Sequence, residues 1–141
     1  MHNHILVGGI GLIVLVVVLL LAGLLIRHRL RKINVAYFQK RWQEAQALCS
    51  SKNTWPLAVI NADKLLDDAL KRRHYKGKTM GERLVSAQHD FTNNDGVWFG
   101  HKLRNRLVHE EDTDAKLYKR DVQQALVGLR QALKDLGALF K

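Results

Sequence analysis

One cysteine and one proline are all that this 141-residue chain holds of either. The lone Cys49 excludes an intramolecular disulfide and suits a reducing cytoplasm. It stands among small and apolar residues, which points to packing rather than to a reactive thiol. A single proline, and no stretch that alternates apolar with polar, leaves no signal for strands. The chain therefore reads as all-α. Motifs for metals and cofactors are missing too. There is no CxxC, no HExxH and no close histidine pair to suggest zinc. His2 and His4 are too few for a metal site. The glycines of Gly8-Gly9-Ile10-Gly11 lie inside an apolar run and make no phosphate-binding loop, and no G-x-S-x-G elbow is present. The expectation is a site with no metal and no cofactor.

Acidic residues are also scarce. There are 13 against 23 Lys and Arg, a net charge of +10. Four of the cations, Arg27, Arg29, Arg31 and Lys32, follow directly on an uncharged run at positions 5–26. A helix of that length measures roughly 30 Å, about one hydrocarbon core. The run lacks the basic start, the short apolar centre and the cleavage site of a signal peptide. It is expected to be a single-pass transmembrane helix. By the positive-inside rule, residues 1–4 would lie outside the cell. Residues 27–33 would be a basic juxtamembrane segment, and 34–141 a cytoplasmic domain at the cell membrane. Its glycines form no GxxxG pair, so the span itself carries no dimerisation signal. From Asn34 onward the net charge is still +6. That balance suits a polyanion or an anionic surface, and it equally suits a solvated face with no ligand.

Beyond position 33 the apolar residues recur at helical spacing. Val35, Phe38, Trp42, Ala45 and Cys49 mark a first helix, about Ile33 to Ser50, which would continue the preceding one. A second begins near Thr54, with Pro56 in its first turn. Its stripe is Trp55, Val59, Ala62, Leu65, Leu66 and Ala69. Asp63, Asp67 and Lys71 are expected off that stripe, the acids on a solvated face or as support for a nearby site. His74 to Lys78 is a basic loop. Thr79-Met80-Gly81-Glu82 matches a capping box and starts a short helix. Another helix runs from about Asp95 to His109. After a polar turn at Glu110–Thr113, a last one runs from about Asp114 to Phe140. Short loops and four main helices imply an antiparallel four-helix bundle.

The chemistry concentrates in Arg104-Asn105-Arg106-Leu107-Val108-His109. On a helix, Phe99, Leu103 and Leu107 make a stripe for the core. His101, Asn105 and His109 form a second, polar stripe nearly opposite it. A bundle helix needs the first stripe and not the second, which could face solvent, a ligand or a second subunit. Arg104 offers a planar cationic fork for a phosphate and for transition-state charge. His109 can move a proton as a general acid or base. Asn105 could orient phosphate, ribose or imidazole. The bland alternatives are that Arg104 pairs with an acid such as Asp68 or Asp90, and that His109 caps a helix end. Trp98 reads as core or interface before it reads as a platform for a base.

This segment resembles the R-x4–6-H signature of the HEPN superfamily (higher eukaryotes and prokaryotes nucleotide-binding domains), often with Asn directly after the Arg. The resemblance lies in the motif, in its place before the last long helix and in an all-α domain of suitable size. It implies a metal-independent endoribonuclease in which Arg104, Asn105 and His109 are catalytic; His101 and Arg106, on the same helix, are the candidate substrate contacts. It also implies a homodimer joined through the motif helix. The family includes members that only bind RNA or nucleotides. A helical scaffold for a protein partner is the alternative outside it.

Overall fold

The computed structural model describes residues 2–30, 33–109 and 116–140. Two compact units emerge, one ending at Lys32 and the other starting at Ile33. The first is α1, His2–Leu30. The second contains α2 (Val35–Ala47), two 3-10 turns at Leu48–Ser50 and Lys52–Thr54, α3 (Trp55–Arg72), α4 (Met80–Ala87), α5 (Asn94–His109) and α6 (Lys119–Asp135). Every regular element among the described residues is helical, as the missing strand signals require.

The expected transmembrane helix at 5–26 does not hold. Among the described residues no helix is long and apolar enough to cross a membrane. Within α1 the described side chains run from position 9 to 25 and are all exposed. The single-pass topology, the outside N-terminus and the cell-membrane location fall with it. The side chains of 27–30, and residues 31 and 32 entirely, lie outside the described residues. So does the expected turn at 110–113.

The four-helix bundle is also corrected. Among the described residues six α-helices form, five of them in the second unit, where α3 is the hub: it packs against α2, α4, α5 and α6, while α5 and α6 pair with each other. The cause lies in the composition of α3. Ala58, Ala62 and Ala69 let neighbours approach, and Leu65, Leu66 and Leu70 fill the space between them, all buried. Phe38 and Trp42 from α2, Leu84 from α4 and Leu129 and Leu133 from α6 complete the main core. A smaller cluster of Val59, Leu103, Val122 and Ala125 joins α3, α5 and α6.

The helix boundaries have local causes. Asn34 caps α2, its side chain accepting the Tyr37 N–H at 3.1 Å. Thr54 occupies the cap position of α3 but makes no capping bond; its hydroxyl donates to the Leu48 and Ser51 carbonyls instead. Thr79 and Glu82 form the expected capping box of α4. The last helix stops at Asp135, not near Phe140. Gly137 takes φ +69°, its N–H donates to the Lys134 carbonyl at 2.9 Å, and the Ala138 N–H donates to Leu133 at 2.8 Å. This is a Schellman stop. It folds Ala138 and Leu139 back into the core and leaves Phe140 exposed. α3 ends the same way, with bonds from His74 to Lys71 and from Tyr75 to Leu70. There the left-handed position, φ 60°, is held by His74 rather than by glycine.

α5 and α6 meet backbone to backbone. A Cβ on Gly128 of α6 would overlap the Gly96 carbonyl group of α5, and one on Gly100 would lie 2.7 Å from Leu129 Cγ. Gly128→Ala should therefore cost more than about 3 kcal/mol, because a backbone neighbour cannot rotate away. A denaturant midpoint that stays put would contradict this close crossing. His74→Gly should have the opposite sign, raising stability by about 1 kcal/mol as the strain of the left-handed side chain is removed. The same denaturation series reads both.

Candidate functional site

The polar stripe of α5 is built against α3 rather than into solvent. Asp63 lies on α3 one turn after Val59 and one turn before Leu66, and is 2 % exposed. A carboxylate at such a position must be paired, since an uncompensated buried charge costs several kcal/mol. Two α5 residues pair it. His101 Nδ1 lies 3.1 Å from Asp63 Oδ1 and 3.3 Å from Oδ2. Arg104 Nε lies 3.7 Å from Oδ2. Asn105 closes the circuit: its Nδ2 is 3.3 Å from His101 Nε2, and its Oδ1 accepts from Arg104 Nη1 at 2.9 Å. The Trp98 ring meets the imidazole edge-on, with centroids 5.9 Å apart.

One assignment of protons satisfies every member. A neutral His101 donates from Nδ1 to Asp63 and accepts at Nε2 from the Asn105 amide, and Asn105 then offers its oxygen to Arg104. His101 is thus buried and fully used, and is not placed to touch a substrate. Arg104 differs, because its side chain is 34 % exposed. Asn105 is half-buried, and His109 is exposed at the end of α5. Arg106 points away from this cluster. It lines a hollow with Phe99, Lys102, Leu103 and Asp121, on the side of α5 that faces α6.

Of the five residues singled out in the sequence, the structure therefore brings together His101, Arg104 and Asn105. His109 follows Asn105 by one turn on the same stripe, and Arg106 stands apart. The partner of Arg104 is Asp63, not Asp68 or Asp90. Asp63 was expected on a solvated face or as an acid supporting the motif, and it is found in the second place. Its position gave a legible signal, because Val59, Asp63, Leu66 and Leu70 follow the 4-3-4 spacing of a core stripe. Asp67, one turn on, is half-buried. It holds Arg83 of α4 at 2.8 Å from Nε and 2.7 Å from Nη2, and Lys71 at 2.7 Å.

Two groups elsewhere titrate away from their ordinary values. Burial pushes the Cys49 thiol up, consistent with its packing role. Tyr75 is pushed up to about 12 by burial and by the Asp90 carboxylate, which accepts its hydroxyl. Among the described residues no group of histidines, cysteines and carboxylates is arranged to hold a metal ion.

Comparison with known proteins gives no matching family model, no similar curated protein and no similar solved structure.

The circuit carries its own test. Asp63→Ala leaves His101 without its acceptor and should destabilise the fold by about 3–5 kcal/mol. Asp63→Asn keeps an oxygen for the imidazole and should cost clearly less. Equal, small losses in thermal melts of the two variants would show that the carboxylate is not the anchor of α5.

Proposed function

We propose that this chain is a metal-independent endoribonuclease of HEPN-like design, acting through Arg104, Asn105 and His109. One observation carries the reading. The buried Asp63 holds Arg104, whose side chain stays a third exposed, and the exposed His109 follows five residues on along the same helix. A guanidinium held in place from within is preorganised for an oxyanion, because no reorientation is needed as charge develops.

RNA brings its own nucleophile to such a site. His109 takes the proton of the 2′-hydroxyl, and the 2′-oxygen forms a bond to the adjacent phosphorus. The bond from phosphorus to the 5′-oxygen breaks, and the leaving oxygen takes up a proton. The products are a 2′,3′-cyclic phosphate and a free 5′-hydroxyl. Arg104 faces the charge gathered on the non-bridging oxygens, and Asn105 fixes both Arg104 and the approach of the ribose. Pairing of two copies at the exposed end of α5 would supply a second His109 as the acid for the leaving group.

His109 is the clean probe, since it is exposed and outside the Asp63 circuit. The full chain should cleave mixed RNA in excess EDTA and leave cyclic-phosphate ends. His109→Ala should slow cleavage by about 10²–10⁴-fold without moving the melting temperature. Cleavage that survives this substitution would refute the assignment. Tight RNA binding with no turnover by the unaltered chain would replace the enzyme with a binding module.

A further inference from the structure

The stretch Lys71-Arg72-Arg73-His74-Tyr75-Lys76-Gly77-Lys78 carries five Lys and Arg, one His and no acid. Its cationic side chains are exposed. With Glu82 and Arg83 it borders a hollow of about 660 Å³ between the end of α3 and the start of α4. The nearby carboxylates are already committed. Asp67 is taken by Arg83 and Lys71, and Glu82 accepts the Thr79 and Lys78 N–H groups. Among the described residues neither Lys76 nor Lys78 is paired with a carboxylate.

Charge alone would describe a solvated loop, but this backbone is tied down along its length. Arg73 Nε donates to the Leu136 carbonyl at 2.8 Å, and Ser86 Oγ donates to the Lys76 carbonyl at 2.7 Å. Arg83 Nη1 donates to the Gly77 carbonyl at 2.8 Å, and the Tyr75 hydroxyl is held by Asp90. His74 accepts left-handed strain where glycine would fold more easily, which keeps an imidazole at the rim. A rigid loop presenting free ammonium groups loses little entropy on binding an anion.

The hollow also shares a support with the candidate site. Asp63 and Asp67 are four residues apart on α3, hence side by side, about 5–6 Å between Cβ atoms. One anchors Arg104 and the other anchors Arg83. A polyanion seated at Arg104 can therefore continue along the same side of α3 toward the hollow. A single RNA strand supplies phosphates in a row along such a basic track.

We infer that this hollow binds the phosphodiester backbone of single-stranded RNA, flanking the phosphate cleaved at Arg104 and His109. The inference rests on the proposed ribonuclease reading. Its test is the double variant K76E/K78E of the full chain, with both positions exposed and a thermal melt to confirm the fold. Binding of a labelled single-stranded RNA should weaken at least about 10-fold. The slope of log affinity against log salt should fall by roughly 1.4, two contacts at about 0.7 each. Cleavage of a dinucleoside monophosphate, too short to reach the loop, should stay within about twofold of the unaltered chain. Unchanged RNA affinity and salt slope would overturn the inference. So would loss of binding to phosphatidylserine vesicles with RNA binding intact. If the unaltered chain never cleaves the dinucleotide and K76E/K78E still weakens RNA binding, the hollow stands and the catalytic reading falls.

Discussion

A carboxylate buried at the middle of the central helix sets the terms for the rest of the second unit. Asp63 is almost wholly removed from water, and its desolvation is offset only if partners arrive in the correct register. They come from one neighbour, α5, as a histidine and an arginine three residues apart. Sliding α5 along α3 by one residue would separate both from the carboxylate. Asp63 therefore fixes the depth and rotation of the helix on which the candidate chemistry sits.

The α5–α6 crossing works with that constraint. Glycines at 96, 100 and 128 let the two backbones touch, which brings Leu129 under the first half of α5. α5 is then gripped on two sides, by α3 through charge and hydrogen bonds and by α6 through close packing. Asp95, Lys102, Arg106, Val108 and His109 are its exposed positions. A held arginine and an exposed histidine, five residues apart on one helix, follow from this arrangement. So does the separation of Arg106, which the helical rotation carries to the α6 side although it is two residues from Arg104.

Part of this was legible in the sequence because it depends on neighbours along the chain. The stripes of α2 and α3, the capping box at Thr79 and Glu82 and the Arg104–His109 helix are all set by spacings of three or four residues. Other features escaped because they are decided between elements. The stripe of His101 and Asn105 looked like a solvent, ligand or subunit face, since the wheel shows only what lies opposite the core stripe. α5 has packing partners on two sides. Gly137 was absorbed into a periodic pattern running on to Phe140, whereas its left-handed conformation reverses the chain and buries Leu139. The apolar run at 5–26 suggested a membrane span on length and hydropathy, and no described helix meets that requirement.

By itself the sequence determined that the chain is helical, that it is basic, that it forms no internal disulfide, and that Arg104, Asn105 and His109 share one helix. Local propensity and composition suffice for each of these. Only the tertiary structure decided which acid holds Arg104, that His101 is an internal strut rather than a surface contact, and that Asp63 and Asp67 hold two arginines side by side. Those outcomes depend on which helices become neighbours, and that is settled by the burial of side chains far apart in the chain.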